Sequence, residues 1–413
     1  MKTPDELYEE REKRLRDAIE LKEPDRVPVM MGGGGSKEGR LPASLSFYNI
    51  AAFKAATIKS ILEFEPDVYW AALFDNPGIA LEALDPKRTK WPGYSLPDDI
   101  PTQHIETESL LEDEYDLFLS DPSDFILRYH LPRVYGSLGP LAKLPPIRTW
   151  AMGLPTAALV SPEFLKVAEV VSIAGKAMLK SREVTRGFDD EMAAHGFPPF
   201  SHGGSMAPFD QVANTFRGLN GISRDIHRRP EKLLQACDLF ANWNIQGIKA
   251  MAGIKRRGNP RRGILPLTRG SDNFLSPAQF KTFYWPFLKE VILGLIHEGC
   301  IPLLFAEGGY NSRLQYIKEL PKGHCIWMFD RTDMAKAKEV IGETTCIAGN
   351  IPVSKILSGT PDQIRQICKE LIDIAGKNGG YIMTCGCSMD EAKPDTLHAM
   401  IDFTKEYGVY PQR

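Results

Sequence analysis

Apolar positions along this chain follow two alternating rhythms. Short, nearly continuous hydrophobic runs are separated by longer stretches in which apolar residues return every three or four positions. The first rhythm suits strands buried on both faces, and the second suits amphipathic helices. The runs cover 27–31, 68–74, 197–201, 264–269, 301–306, 325–329, 345–348 and 381–384. Several of the intervening helices carry start signals. Ser276-Pro277 precedes 279–297, Thr360-Pro361 precedes 362–377, and Asp333 precedes 334–341. Each is a polar cap at a helix start, and in the first two a proline follows in the first turn. A further amphipathic stretch, Glu6 to Leu21, opens the chain and ends before Pro24.

Strand and helix alternating eight times predict an α/β protein, a (β/α)8 TIM barrel, with an open doubly wound sheet as the competing architecture. Residues 92–196 break the rhythm. They are rich in proline and charge and hold a helical pattern from Pro162 to Glu183. We read them as an inserted helical cap segment after the second strand. No linker flanks it, so the reading is one domain spanning 1–413.

In such a barrel the chemistry gathers at the C-terminal ends of the strands, and the run ends here are polar. They are Asp75, His202 before two glycines, Asp272 just beyond its run, Glu307 before Gly308-Gly309, Asp330, Asn350 after Gly349, and Cys385-Gly386-Cys387. A carboxylate closing an apolar strand can bind substrate or act as an acid or base with a shifted pKa. Thiolates are soft metal ligands. Each residue also has an ordinary role. Asp330 or Asp333 could cap a helix, Glu307 could pair with Arg313, Asn350 could simply turn the chain, and the two cysteines could be small buried hydrophobes. His297 and His324 sit away from the strand ends, and the aromatic group Phe280, Phe283, Tyr284, Trp285 and Phe287 reads as core. The glycines at 32–35 match neither a P-loop nor a dinucleotide fingerprint.

Composition narrows the partners. With 413 residues, net charge −3, 43% hydrophobic and 25% charged residues, the chain is typical of a soluble globular protein. Its basic cluster, Lys255-Arg256-Arg257 with Arg261-Arg262, is short and reads as a solvated loop, so no nucleic-acid partner is expected. No apolar run reaches the roughly 18 residues of a membrane span. The charged start, Met1 to Asp17, lacks a signal core, and seven cysteines without scaffold spacing suit a reducing cytoplasm.

These strand ends, in this order, resemble the uroporphyrinogen decarboxylase superfamily, which includes the decarboxylase and zinc methyltransferases acting on corrinoid proteins or thiols. The resemblance rests on Arg14 with Asp25-Arg-Val-Pro-Val29, Phe74-Asp75-Asn-Pro77, Leu81-Glu-Ala-Leu84, Phe216-Arg-Gly218 with Asp225 and Arg229-Pro-Glu231, Phe329-Asp330, Gly349-Asn350, Gly359-Thr-Pro361, and Cys387 followed by Leu397-His-Ala-Met400. It covers most of the chain outside about 92–190. The decarboxylase's arginine-rich segment after the first strand is replaced by Gly35-Ser-Lys-Glu-Gly-Arg40, and its last-strand histidine by Cys387. The methyltransferases' His-x-Cys at the fifth-strand end reads Phe305-Ala306-Glu307 here.

The resemblance therefore implies methyl transfer between a small organic substrate and a corrinoid protein or other acceptor, at a zinc site. Glu307, Cys387 and Cys385 are the expected metal ligands, with His202 as another candidate. Asp75 and Asp330 would orient the reacting groups, while His202, Asp272 and Asn350 would contact substrate. A methyl-cobamide carried by a partner protein and a homodimer are further expectations. The alternatives are a metal-free decarboxylase, with Asp75 stabilising a protonated intermediate, and a non-catalytic corrinoid- or tetrapyrrole-binding barrel.

Overall fold

Seven of the eight apolar runs contain a strand, and the run 197–201 carries only an isolated bridge. The computed structural model describes residues 2–32, 42–70, 76–201, 203–252, 261–387, 389 and 392–411. Its strands are β1 (Met30–Gly32), β2 (Val68–Trp70), β3 (Thr89–Lys90), β4 (Gln103–His104), β5 (Arg262–Leu267), β6 (Ile301–Ala306), β7 (Ile326–Phe329), β8 (Cys346–Ala348) and β9 (Tyr381–Ile382). Strands β5 to β9 lie side by side in chain order, all parallel, and β1 pairs parallel with β2. The short antiparallel pair β3–β4 lies apart from this wall.

Single hydrogen bonds close the cylinder. Met30 N–H donates to the Met383 carbonyl (2.9 Å) and Met383 N–H to Pro28 (2.8 Å), joining β1 to β9. Isolated bridges at Pro199 and Gly204 span the gap between β2 and β5. Phe200 N–H donates to Tyr69 (2.7 Å) and Ile264 N–H to Gly203 (2.9 Å). Eight wall segments thus complete the barrel.

Side-chain alternation along each strand assigns one set of residues to the lumen and the next to the helices. Met30, Val68, Phe200, Leu303, Phe305, Met328, Ala348 and Ile382 pack together inside. Met31, Tyr69, Leu304, Trp327, Ile347, Tyr381 and Met383 belong to the larger core between wall and helices. The first helix, Pro4–Ile19, starts at a Thr3–Glu6 capping box and delivers Leu15, Ala18 and Ile19 to the inner cluster, so it plugs the base.

The same end holds the buried charges. Asp67 is fully buried and accepts bonds from Arg14 (2.7 Å), Arg26 (2.6 and 2.7 Å) and Val29 N–H (2.9 Å). Arg14 also reaches Asp25 (2.7 Å), which accounts for the Asp25-Arg-Val-Pro-Val29 pattern as a clasp across the barrel floor. Arg262 corrects the solvated-loop reading of its basic cluster. It is 2% exposed and forks onto Glu12 at 2.8 and 3.0 Å.

The inserted stretch carries the helices Tyr115–Ser120, Pro122–Phe125, Pro162–Thr185 and Phe188–Ala194, with a small core of its own around Leu138, Leu141, Leu144 and Val167. It is tied down by Arg217, fully buried, which bonds Asp225 (2.5 and 3.1 Å), Glu108 (3.0 Å) and the Leu110 carbonyl, while Tyr115 donates to Asp225 (2.7 Å). Helix starts follow the expected caps. Asp333 accepts from Ala335 and Lys336 N–H, and Ser276 and Thr360 both form capping boxes. The expected helix 279–297 is broken instead into Pro277–Gln279, a wide turn over Phe280–Tyr284, and Trp285–His297. Pro286 has no N–H to give back one turn, so the helix widens just before it.

Candidate functional site at the barrel mouth

Alternation on β6 puts Phe305 and, two residues on, Glu307 on the lumen side. Phe305 closes the inner core there, meeting Trp70 edge-on at 5.7 Å. Glu307 stands above it. Its N–H donates to Leu267 (3.2 Å), continuing the β5–β6 pairing past the strand end. Its carboxyl is raised above the ordinary glutamate range, first by burial and then by the nearby Asp330 charge, with Arg269 opposing both. Burial and a like charge both make a carboxyl harder to ionise.

Asp330 ends β7 and reaches across to the Glu307 loop, where it accepts the Gly308 N–H at 3.1 Å. Helix capping falls to Asp333. Gly386 lies against Asp330 from the β9 side. A Cβ at Gly386 would sit 2.9 Å from both the Asp330 Cα and its carbonyl oxygen, so only glycine allows this approach. Of the flanking cysteines, Cys387 is exposed and Cys385 is buried. Cys385 packs with Tyr381 and Met383 in the core outside the wall, and burial pushes its thiol up to about 11.

The other expected contacts serve as braces. Asn350 donates from Nδ2 to the Thr332 carbonyl (2.7 Å), and Thr332 Oγ1 accepts Tyr310 N–H (3.0 Å), linking the loops after β6, β7 and β8. Asp272 accepts Ser312 Oγ (2.6 Å) and Ser312 N–H (3.2 Å), and its own N–H donates to Gly309 (2.8 Å). It fixes the Gly308-Gly309 turn, where Gly308 adopts the left-handed φ of +81°. Arg313 spends its donors on the carbonyls of Gly270, Ser271 and Leu275 and lies 3.4 Å from Asp272, so Glu307 does not take it as an ion-pair partner. Asp75 and His202 lie outside the described residues.

Three groups at this end escaped the sequence reading. Asp210, in the helix Pro208–Gln211, is fully buried and accepts Thr268 N–H (2.8 Å), Arg269 N–H (3.1 Å) and Tyr284 O–H (2.7 Å). Burial outweighs these donors and pushes its carboxyl up to about 7. Tyr310, also buried, donates to the Leu267 carbonyl (3.3 Å). Arg269 follows the end of β5, partly open to solvent, and its charge reaches Glu307. Asp210 sits inside an apolar stretch, Pro208-Phe-Asp-Gln-Val-Ala213, and a carboxylate placed there is the one local hint of a buried role.

A zinc ion of the expected kind would need three protein donors and an open position. Among the described residues no three of His, Cys, Asp and Glu are gathered to hold a metal. Phe305 offers no donor, and Cys385 faces the outer core. His202, the other candidate donor, lies outside the described residues.

Comparison with known proteins decides the family. Residues 201–407 match the family model for uroporphyrinogen decarboxylase (URO-D). The chain belongs to the URO-D family. The uroporphyrinogen decarboxylase of Psychromonas ingrahamii is 28% identical over 142 residues, 33% of this chain and 39% of that protein. That of Syntrophotalea carbinolica is 21% identical over 182 residues, 44% of this chain and 50% of its own length. The chain thus matches between two fifths and half of the length of these curated relatives. A methyltransferase from Methanosarcina mazei superposes with a TM-score of 0.60 at 17% identity, covering 96% of this chain and 98% of that one. The URO-D barrel, insertion included, is thereby matched along nearly its whole length. No helix among the described residues is long and apolar enough to cross a membrane.

Proposed function

We propose that this URO-D-family protein is a methyltransferase. It would move a methyl group from a small organic substrate bound at the barrel mouth to a reduced corrinoid carried by a partner protein. The observation that carries the reading is the Glu307 carboxyl, half-buried at the barrel mouth and raised above the ordinary glutamate range by burial and by Asp330.

A methyl group on oxygen or nitrogen is hard to remove because the departing heteroatom would leave as an anion. Glu307 supplies the proton. As the bond from methyl carbon to heteroatom breaks, the heteroatom keeps that electron pair and takes the Glu307 proton, while the acceptor's electron pair forms the new bond to carbon. Glu307 ends as a carboxylate and regains a proton from solvent before the next turnover. General acid catalysis of this kind contributes roughly 10²–10⁴ in rate. Asp330, bonded to Gly308 N–H, shapes the loop that carries Glu307 and supplies the like charge that helps it keep its proton. Asp272 and Asn350 hold the surrounding turns.

Decarboxylation is the second reading, favoured by the relatives named uroporphyrinogen decarboxylase. Against it stand Gly35-Ser-Lys-Glu-Gly-Arg40, with one arginine, and Cys387 in place of histidine. The test incubates purified protein with cob(I)alamin and a panel of methylated amines, ethers and thioethers, following methylcobalamin by absorbance. Methyl transfer with at least one donor, slowed about 10²–10⁴-fold by Glu307→Gln, is expected. Carbon dioxide release from uroporphyrinogen without any methylcobalamin would overturn the reading. One zinc per chain, lost together with activity on Cys387→Ala, would replace the acid route with a metal one.

A further inference from the structure

We propose that Arg269 is a pre-organised anion anchor at the barrel mouth, and that the substrate carries a carboxylate. This deepens the methyl-transfer reading by assigning a substrate class, and it rests on residues that reading does not use.

Arg269 is held at both backbone and side chain. Asp210 grips its N–H together with that of Thr268. Nε donates to Asn214 Oδ1 (3.2 Å), and Asn214 itself is fixed through Nδ2 to Thr268 Oγ1 (2.9 Å). Nη2 donates to Glu106 Oε1 (2.9 Å), and the guanidinium lies 5.8 Å from the Phe274 ring centre. Among the described residues Nη1 has no hydrogen-bond partner, and the side chain is 26% exposed. An arginine whose rotamers are already fixed, with one edge open, loses little entropy on meeting a planar oxyanion.

Among the described residues, the donor left open on Arg269 is Nη1, because its neighbours are already engaged. Glu106 is shared: its Oε2 accepts Leu219 N–H (3.0 Å), and Arg88 also lies within its electrostatic reach. Arg88 spends its own donors on the carbonyls of Asn214 (2.5 Å) and Thr215 (2.6 Å). Two guanidinium groups therefore share the Glu106 carboxylate, and the charge of Arg269 also reaches Asp210 and Glu307. A substrate carboxylate on Nη1 would complete the pairing and hold the rest of the molecule toward the Glu307 proton.

The rival role for Arg269 is a purely structural pin between β5 and the segment around Glu106. Titration calorimetry with methoxyacetate and its neutral counterpart 2-methoxyethanol separates the two. Methoxyacetate should bind saturably and 2-methoxyethanol should not. Arg269→Gln should weaken methoxyacetate by roughly tenfold or more, as expected for losing a charged hydrogen bond, and Arg269→Lys should restore part of it. Glu106→Gln, which removes the competing carboxylate and leaves Arg269 in place, should tighten binding, and it keeps the test open if Arg269→Gln fails to fold. Absent saturable binding to the wild type, equal binding of the neutral ether, or affinity unchanged in folded Arg269→Gln or weakened in folded Glu106→Gln would each overturn the anchor. Methyl transfer from neutral donors that survives Arg269→Gln would overturn it too, while leaving the transfer reaction standing.

Discussion

Three carboxylates show how neighbours, more than depth, decide a proton's fate. Asp67 is fully buried, and burial alone would raise its pKa, yet Arg26 and Arg14 prevail and hold it below the usual range. Asp210 is as deeply buried but meets neutral donors, a tyrosine hydroxyl and two peptide N–H groups, with Arg269 contributing least, and it rises to about 7. Glu307 rises as well, first through its burial and then through the like charge of Asp330, with only Arg269 against it. Asp210 makes this testable through stability. Its folded pKa exceeds the unfolded value of about 3.9, so the native state keeps a proton that the unfolded chain has lost. Its contribution to stability is therefore full below about pH 4 and declines until about pH 7. Urea unfolding across that window should show the decline, and Asp210→Asn should flatten it. An unchanged slope in the variant would assign the effect elsewhere.

At the scale of elements, the site depends on how closely strand ends approach one another. Gly386 sets the distance between the end of β9 and Asp330. Gly386→Ala is expected to cost roughly 1–3 kcal/mol by overpacking and to slow turnover by moving Asp330 off the Gly308 N–H. Unaltered melting and activity would show that the contact yields freely. The elements themselves were largely legible, because lumen-facing and helix-facing sides both need apolar residues and the wall strands read as solid runs. Caps such as Asp333 and Ser276 were legible too, since they act within three residues. What was not legible depends on distant packing. The side to which Cys385 turns follows from the β9 pleat and the bridge from Ile351 to Cys385. The burial of Asp210 depends on Tyr284 and Thr268, more than fifty residues away in sequence. Glu307 stood out at the end of its run, but its partner did not. Arg313 is the natural choice in sequence, whereas the fold turns it to carbonyls and brings the charges of Asp330 and Arg269 within reach of Glu307.

At the scale of the whole molecule, a barrel plugged at its base by the first helix and its buried ion pairs leaves its opposite rim free for chemistry. There the rigid wall sets Phe305 as a floor, Glu307 above it, and Asp330, Gly386 and Arg269 around it. Family membership is settled by the match over residues 201–407, and the barrel by the near full-length superposition. The reaction turns on whether the Glu307 proton is used. The most direct measurement is kcat/KM for methyl transfer to cob(I)alamin as a function of pH, in wild type, Glu307→Gln and Asp210→Asn. The rate in wild type and Asp210→Asn should fall as pH rises through a value above the ordinary glutamate range, and that limb should vanish in Glu307→Gln. A wild-type profile without the limb, or the same limb persisting in Glu307→Gln, would contradict Glu307 as the acid.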